Sequence, residues 1–247
     1  MRGLRLWRAS LDQPADEVAR LFDLLAPVER SRAGMFHHER DRRRFVVARG
    51  ILRTLLGEYS STPPDRVALC ILPGGKPTLA AGAYPDRLHF NLSHCGELAL
   101  FAFADREVGI DVERLAPSDD MARVATHFFS ATETVRFNQL SGIEQTRFFF
   151  RTWVRKEAYL KATGDGFAIE PALLTVASST TGGVSLQNAD GTQITGGRYV
   201  VHDLDDVDQH VAAVAITAAY GSEADLPVSR PVVLEEFSPH VLAGIQT

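Results

Sequence analysis

The sequence predicts an α+β fold in which two similar α/β halves flank one site. Short apolar or alternating runs, typical of β-strands, occur on both sides of two long helical patterns. These helical patterns are weakly similar, because Arg44-Phe45-Val46-Val47 resembles Arg147-Phe148-Phe149-Phe150. The 247 residues, 45% of them apolar, suffice for one large domain or two smaller ones. We expect an N-terminal half at 1–115, a C-terminal half at 116–220 and an appended, loosely packed tail at 221–247.

The composition is that of a soluble globular protein. The chain has 26 Lys and Arg against 31 Asp and Glu, a net charge of −5, which argues against a basic nucleic-acid-binding protein. Cys70 and Cys95 are its two cysteines, so no disulfide framework or zinc set is expected. The N-terminal residues lack a signal-peptide pattern, and no run approaches the roughly 20 apolar residues of a membrane span. We therefore expect a cytoplasmic protein without a membrane segment.

The first part of the chain is predicted to form a strand and then helices. The strand is expected at Gly3 to Arg8, a short helix at Asp16 to Leu25 and a longer helix at Val28 to Leu56, closed by Gly57. The polar face of the longer helix contains Arg40, Arg42, Arg43, Arg44, Arg49 and Arg53. This face is either solvated or an anion site, because the arginine fork matches phosphate oxygens.

Strands and turns are predicted to follow, at Val67 to Leu72, Leu88 to Ser93 and Leu98 to Ala104. The turn before the second of these contains Lys76 and is not a Walker A loop, because Pro77 replaces the Ser or Thr after the lysine. The turn alone favours an exposed Lys76. Ser93 and His94 are not expected to form a nucleophile pair, since adjacent strand residues face opposite sides. His94 is either a structural histidine or a ligand donor.

The next predicted strand, Val108 to Glu113, contains two carboxylates on one face. Asp111 and Glu113 are two residues apart, and Gly109 leaves room for close approach of another backbone. Paired carboxylates at the end of an apolar strand repel each other unless a cation lies between them. A hard divalent metal ion is the natural occupant.

Helices and an antiparallel sheet are expected in the second half. A helix at Met121 to Phe129 precedes one whose capping box is Ser130 and Glu133. The helix that ends at Thr163 places Glu157 and Lys161, four residues apart, on one face. Gly164 and Gly166 end this helix. Lys156 is expected to face solvent, with a phosphate contact as the alternative. The later strands are expected at Leu173 to Ser178, Val184 to Gln187, Arg198 to Asp203 and His210 to Ala218.

The motifs occur in a fixed order between Pro27 and Ala168. After the arginine-rich helix they are Gly75-Lys76-Pro77, Phe90-Asn91-Leu92-Ser93-His94, Gly109-Ile110-Asp111-Val112-Glu113, Phe129-Ser130-x-x-Glu133 and Trp153-x-x-Lys156-Glu157-Ala158-x-x-Lys161-x-x-Gly164-x-Gly166. Together they resemble the 4′-phosphopantetheinyl transferases, in particular the larger single-chain type similar to the surfactin-synthetase-activating transferase. The resemblance implies two halves related by a pseudo-twofold axis, with coenzyme A in the cleft between them.

The resemblance also implies a reaction and its participants. A serine of an apo acyl or peptidyl carrier protein attacks the β-phosphate of coenzyme A, the phosphopantetheine arm is transferred, and 3′,5′-ADP leaves. The metal ion is Mg²⁺, with Mn²⁺ as the alternative, and the duplicated chain implies a monomer. The metal ligands are Asp111, Glu113 and Glu157. The catalytic residues are Glu157, which acts as base either itself or through a water that it holds, and Lys161 on the transferring phosphate. The residues assigned to coenzyme A are Arg44, Arg49, Lys76, Pro77, Ser93, His94 and Lys161, with Arg44 on the 3′-phosphate.

Three other functions compete with this interpretation. A different magnesium-dependent phosphotransferase or nucleotide hydrolase would use the same carboxylates without a carrier protein. A non-catalytic coenzyme A or carrier-protein binder would keep the fold. A nucleic-acid-binding arginine helix is disfavoured by the net charge of −5. Phe128 and Phe129 are candidates for the carrier-protein surface, with a core role as the alternative.

Overall fold

The computed structural model is an α+β structure, as predicted, and it describes residues 3–81, 88–164, 169–178, 184–188, 190–192, 199–204, 207, 209–218 and 234–238. Within these ranges the helices are α1 (Ala15–Asp23), α2 (Pro27–Ala33), α3 (Glu39–Ser60), α4 (Met121–Phe128), α5 (Ala131–Asn138) and α6 (Gly142–Thr163). The strands are β1 (Arg5–Ser10), β2 (Leu69–Ile71), β3 (Pro77–Leu79), β4 (His89–Cys95), β5 (Leu98–Ala104), β6 (Val108–Arg114), β7 (Leu174–Ser178), β8 (Val184–Asn188), β9 (Tyr199–Leu204), β10 (His210–Thr217) and β11 (Leu234–Glu236).

The strands form two main sheets whose edges meet. The first sheet has the order β11-β1-β5-β4, the second has the order β6-β10-β9-β8-β7, and β2 and β3 form a separate hairpin. Edge strand β4 lies against edge strand β6, while α6 packs on β6 and β10. Because β6 pairs with β10, its hydrogen bonds place it in the second sheet. The expected division of the chain at residue 115 stays a prediction.

Each sheet is covered by one long helix. The buried face of α3 includes Val46, Ile51 and Leu55, which pack with Phe101 and Phe103 of β5 in one core cluster. Helix α6 buries its own apolar face against the second sheet. It ends at Gly164, whose φ of 76° provides the left-handed cap that was predicted, whereas Gly166 lies outside the described residues. No helix in the described ranges has the length and apolarity to cross a membrane.

The single helix predicted from Val28 to Leu56 is wrong, because the structure has two helices there. Helix α2 ends at Ala33 with Gly34 as its cap, and α3 begins at Glu39. The predicted stop at Gly57 is also wrong, since α3 continues to Ser60. Gly57 is needed for packing instead: a Cβ there would lie 2.7 Å from the carbonyl oxygen of Thr62.

The expectation of a loosely packed tail is wrong for residues 234–238. Strand β11 pairs in parallel with β1, and the backbone N–H of Phe237 donates to the carbonyl of Arg8 at 2.8 Å. The Phe237 side chain is 9% exposed and belongs to the core cluster under α3. The C-terminal segment therefore protects the edge of the first sheet. Residues 219–233 and 239–247 lie outside the described residues.

Candidate active site

Asp111 of β6 is the centre of a buried polar cluster. Its Oδ1 accepts hydrogen bonds from Lys161 Nζ at 2.6 Å and from Ser93 Oγ at 2.8 Å. Lys161 Nζ also donates to Ser93 Oγ at 3.1 Å. Asp111 is 3% exposed, whereas the Lys161 side chain is 31% exposed. Strand β4, strand β6 and helix α6 thus each contribute one side chain to the cluster.

Gly109 allows α6 to approach β6 closely enough for this contact. A Cβ at Gly109 would lie 2.0 Å from the carbonyl oxygen of Ala158 and 2.3 Å from the amide nitrogen of Ala162. These atoms belong to the backbone of α6 and cannot rotate away as a side chain would. The glycine therefore brings Asp111, two residues further along β6, next to the helix face that presents Glu157 and Lys161.

Glu113 and Glu157 add negative charge beside Asp111. Burial raises the pKa of the Glu157 carboxyl, and the neighbouring charge of Asp111 raises it further against the opposing effect of Lys161. Burial and then the charge of Asp111 likewise raise the pKa of Glu113. The second oxygen of Asp111, Oδ2, is buried and lacks a hydrogen-bond partner among the described residues. The cluster thus combines mutually repelling carboxylates with an oxygen that is ready to accept a ligand.

The three predicted metal ligands do not form a closed coordination shell in this geometry. No group of three or more His, Cys, Asp or Glu side chains in the described part of the chain is arranged to hold a metal ion. The Lys161 ammonium balances part of the charge of Asp111 instead. The donor set nevertheless fits a hard cation, because Asp111 Oδ2 is an unpartnered carboxylate oxygen and Mg²⁺ takes a few carboxylates together with phosphate oxygens and water.

Two adjoining cavities of about 280 Å³ each open beside Lys161. The first is lined by the hairpin turn Gly74 to Pro77, by Asn91 and Leu92 of β4, and by Glu157, Leu160, Lys161 and Gly164. The second is lined by Arg49, Pro77, Leu92, Ser93, His94 and Lys161. Partial burial and then the positive charges of Lys161, Arg44 and Arg49 lower the pKa of His94. The second cavity is therefore basic, and Lys161 connects it to the carboxylates.

Lys76 is partly buried rather than exposed, which corrects the expectation drawn from its turn. Its Nζ donates to the carbonyl oxygens of Val108 and Ala162, both at 3.0 Å. Burial lowers the pKa of the Lys76 amine to about 8 against the opposing charge of Glu107. Lys76 therefore ties the β2–β3 hairpin to the start of β6 and the end of α6, and places the hairpin beside the first cavity.

The predicted arginines occupy three different environments. Arg44 forms an ion pair with Asp12 at 3.0 Å near the surface. Arg49 lines the basic cavity and stacks over Phe45, with 5.7 Å from its guanidinium carbon to the ring centroid. Arg53, which was predicted to lie on the same face, is 1% exposed and paired with Glu29. Of the three, Arg49 is the one that lines the cavity.

Lys156 is completely buried, so the expectation that it faces solvent is wrong. Its Nζ pairs with Glu133 Oε2 at 2.5 Å and donates to the carbonyls of Phe128 at 3.0 Å and Pro171 at 2.9 Å. Burial lowers the pKa of Lys156 against the opposing charge of Glu133. The predicted capping box of Ser130 and Glu133 is confirmed. The carboxylate of Glu133 thus caps α5 and anchors α6 at once.

Phe128 and Phe129 have the core role that was the alternative to a docking surface. They are 8% and 2% exposed, respectively. The ring of Phe128 stacks on Trp153 with 4.1 Å between centroids, and Phe129 packs against Phe149. They hold α4 against α6 and leave little surface for a partner.

Asn91 and Cys95 are neighbours of the site to which the sequence interpretation gave no functional role. Asn91 Oδ1 accepts from the backbone N–H of Ile110 at 3.0 Å, a bond that crosses from β4 to β6. The thiol of Cys95 lies close enough to Glu113 to affect its pKa. The alternation of Asn91, Ser93 and Cys95 along β4 was the available signal, because residues two apart on a strand face the same side.

Comparison with known proteins covers both halves of the chain. A model described as the 4′-phosphopantetheinyl transferase superfamily matches residues 107–215, and one described as 4′-phosphopantetheinyl transferase, N-terminal, matches residues 7–105. The chain is 42% identical over 166 residues to 4′-phosphopantetheinyl transferase HetI of Nostoc sp. (strain PCC 7120), which is 67% of this chain and 70% of that protein. It is 26% identical over 189 residues to 4′-phosphopantetheinyl transferase Sfp of Bacillus subtilis (strain 168), which is 76% of this chain and 82% of that protein.

A solved structure is similar to part of the chain. It is a holo-(acyl-carrier-protein) synthase from Bacillus anthracis in complex with CoA (3′,5′-ADP), 24% identical, with a TM-score of 0.36. The match covers 46% of this chain and 96% of that protein.

Proposed function

Because the chain belongs to the 4′-phosphopantetheinyl transferase superfamily, we propose that it transfers the phosphopantetheine arm of coenzyme A to a serine of an apo acyl or peptidyl carrier protein. The reaction depends on Mg²⁺ and releases 3′,5′-ADP. The main support is the position of Lys161, which contacts the buried carboxylate of Asp111 and also lines a basic cavity. A diphosphate placed there has positive charge on one side and carboxylates for a cation on the other.

Asp111, Glu113 and Glu157 would hold the metal ion. The unpartnered Oδ2 of Asp111 and the raised pKa values of the two glutamates support this role. When all are ionised, the three carboxylates and the Lys161 ammonium leave two negative charges in excess, which one divalent cation balances. A divalent cation bound there would neutralise negative charge on the diphosphate and orient it for displacement.

The basic cavity supplies the groups that bind coenzyme A. Arg49 and His94 line its wall. Arg44, which is paired with Asp12, adds positive charge that acts on His94. Lys76 and Pro77 belong to the hairpin turn that borders both the acidic cluster and the cavities. We assign these residues to the phosphates and the nucleotide of coenzyme A, with Arg44 on the 3′-phosphate. Ser93 lies in the same wall and is assigned to coenzyme A with them.

The chemical step uses Glu157 and Lys161. The carrier serine oxygen attacks the β-phosphorus, a P–O bond forms, and the bond to the departing 3′,5′-ADP breaks. Glu157, or a water molecule that it holds, accepts the serine proton. The Lys161 ammonium donates to the transferring phosphate oxygens, where negative charge is present throughout the displacement.

That the protein acts as a cytoplasmic monomer stays a prediction from the sequence.

The test is the intact mass of an apo carrier protein after incubation with this protein, coenzyme A and Mg²⁺. We expect the carrier to gain one phosphopantetheine arm, and the gain to disappear with chelator or with Asp111→Ala. Glu58→Gln, an exposed carboxylate variant on α3, is the matched control and should retain the wild-type rate. Parallel samples contain an acyl carrier and a peptidyl carrier, and the low-molecular-weight products are followed in the same reactions.

Each alternative function gives a different result. If coenzyme A binds but neither carrier gains mass, the protein is a non-catalytic binder. If a nucleotide is turned over without a carrier protein, it is a different magnesium-dependent phosphotransferase or hydrolase. Either result would overturn the proposed transfer reaction.

A further inference from the structure

Arg49 is held at the basic cavity without using its hydrogen-bond donors. Its guanidinium carbon lies 5.7 Å from the centroid of the Phe45 ring, and the residue lines the wall of the cavity. Within the described ranges, Arg49 donates to no carboxylate or carbonyl oxygen and forms no ion pair. The stack on Phe45 is thus the contact that orients its guanidinium.

The other arginines of α3 have acceptors of their own. Each of them donates to a carboxylate or to a backbone carbonyl oxygen; they are Arg40, Arg42, Arg43, Arg44 and Arg53. An anion that recruits one of these guanidiniums competes with an acceptor already in place. Arg49, in contrast, offers all five of its N–H donors.

Stacking on an aromatic ring suits a guanidinium that has to bind an anion. The attraction to the ring acts on the face of the planar cation, whereas the N–H donors lie in the plane of the guanidinium. An ion pair with a carboxylate would instead occupy those donors. Phe45 can therefore hold Arg49 in one orientation and leave its donors available for phosphate oxygens.

The ring of Phe45 is itself fixed by its neighbours. Phe45 and Arg49 are four residues apart and lie on one face of α3. The centroid of the Phe36 ring lies 5.2 Å from that of Phe45, and the guanidinium carbon of Arg32 in α2 lies 5.6 Å from it. Phe45 also packs against the core cluster under α3. The ring is thus in place before a ligand binds.

The charges around Arg49 favour an anion in the cavity. Burial lowers the pKa of the Arg49 guanidinium, Glu29 opposes this effect, and the positive charges of Arg32 and Arg53 add to it. The carboxylate of Glu29 is already paired with Arg53. In the described part of the structure Arg49 therefore lacks a counterion of its own, and a phosphate group in the cavity would supply one.

We infer that Phe45 is a positioning residue, whose ring orients the Arg49 guanidinium at the basic cavity so that its N–H donors can bind a phosphate of coenzyme A. This inference rests on the proposed function, because it requires coenzyme A in the basic cavity. Without the ring, the ligand itself would have to order the Arg49 side chain. Ordering one flexible side chain typically weakens binding by about 2- to 10-fold.

The test measures binding of 3′,5′-ADP to the full-length protein by isothermal titration calorimetry, in chelator so that no metal ion contributes. We expect Phe45→Leu to weaken binding by about 3- to 10-fold, and Phe45→Tyr, which keeps the ring, to retain most of the affinity. Phe45→Met, a second variant without the ring, should match Phe45→Leu. Circular dichroism shows whether each variant is folded at the temperature of the titration.

Phe22→Leu is the matched control. It also removes a partly buried ring that packs against the core cluster under α3, and the guanidinium carbon of Arg30 lies 5.2 Å from the centroid of that ring. Arg30 donates to the carbonyl oxygens of Asp23 and Leu25, so its donors are engaged away from the cavity. This control should bind 3′,5′-ADP like the wild type.

A double-mutant cycle shows whether Phe45 acts through Arg49. Arg49→Met should weaken 3′,5′-ADP binding, and Phe45→Leu should have no further effect in that background. If Phe45→Leu weakens binding equally with and without Arg49, the ring contacts the nucleotide directly and the inference is overturned. Wild-type affinity in folded Phe45→Leu or in Arg49→Met would also overturn it, while transfer of the phosphopantetheine arm by the wild type would leave the proposed function intact. If the wild type binds neither 3′,5′-ADP nor coenzyme A, the proposed function fails and the inference fails with it.

Discussion

Replacing Gly109 with alanine tests whether the close approach of α6 to β6 creates the active site. The new Cβ would lie 2.0 Å from the carbonyl oxygen of Ala158, whereas ordinary contacts begin at 3.4 Å, so the helix backbone must retreat by about 1.4 Å. Lys161 is on this helix, and its 2.6 Å bond to Asp111 would stretch beyond hydrogen-bonding distance. The substitution therefore affects both packing and the site.

The expected size of each effect follows from this displacement. Overpacking a well-packed interior typically costs about 1–3 kcal/mol, and we expect about 3 kcal/mol for Gly109→Ala because the obstacles are backbone atoms. A misplacement of about 1 Å can reduce a rate by about 100-fold, so kcat/KM for phosphopantetheine transfer should fall by about that factor. Urea unfolding measures the free energy, and intact mass of the carrier against time measures the rate, at a temperature where circular dichroism shows a folded protein.

Gly57→Ala is the matched control for loss of stability without loss of the site. Its Cβ would lie 2.7 Å from the carbonyl oxygen of Thr62, again a backbone atom, and Gly57 lies about 12 Å along α3 from Arg49. This variant should be destabilised and keep the wild-type kcat/KM when folded. If Gly109→Ala is destabilised but keeps the wild-type kcat/KM when folded, as Gly57→Ala should, the close approach does not position the site. If Gly109→Ala has the stability and the rate of the wild type, the argument that α6 packs too closely on β6 for a Cβ at this position is also refuted.

Three further predictions concern other parts of the structure. Lys76 must be protonated to contact a phosphate, and the pKa of its amine is about 8. The affinity for 3′,5′-ADP, measured by calorimetry, should therefore decrease as the pH rises above 8, by up to about 10-fold per pH unit. Lys76→Arg, which stays protonated, should abolish this decrease. Lys156→Met should lower the free energy of unfolding, measured in urea, by about 3–5 kcal/mol, because it leaves the Glu133 carboxylate buried without its cation. The control Arg155→Met removes a partly exposed ion pair and should lower it by about 1 kcal/mol or less. Phe237→Ala should cost about 3 kcal/mol; unchanged stability in that variant would mean that β11 does not hold the first sheet together.

The acidic side of the site could be predicted because its spacing is local. Residues that are two apart on a strand, or four apart on a helix, lie on the same face. These rules placed Asp111 with Glu113 and Glu157 with Lys161. The structure brings the two pairs together. Sequence alone gave no reason to expect that Lys161 would bond directly to Asp111 and Ser93, since that depends on how closely α6 approaches β6.

Three of the errors in the sequence interpretation share a physical cause, which is contact between distant parts of the chain. The environment of Lys156 depends on Glu133, which belongs to another helix, and a lysine in a helical pattern is usually exposed. The segment that contains Phe237 has the composition of a tail, but its partner is the first strand of the protein. Arg53 likewise lies on an arginine-rich helix and is buried, because Glu29 and the carbonyl oxygens of Pro64 and Val67 accept its hydrogen bonds.

The position of the site between the sheets explains how its parts depend on each other. Asn91 bridges β4 to β6, and Ser93 follows it onto Asp111. Gly109 brings α6 to the other side of β6. Neither sheet holds a complete set of these groups, because β4 belongs to the first sheet and β6 to the second. A substitution that shifts one sheet relative to the other should therefore reduce activity more than stability, since the core of each sheet remains packed under its own helix.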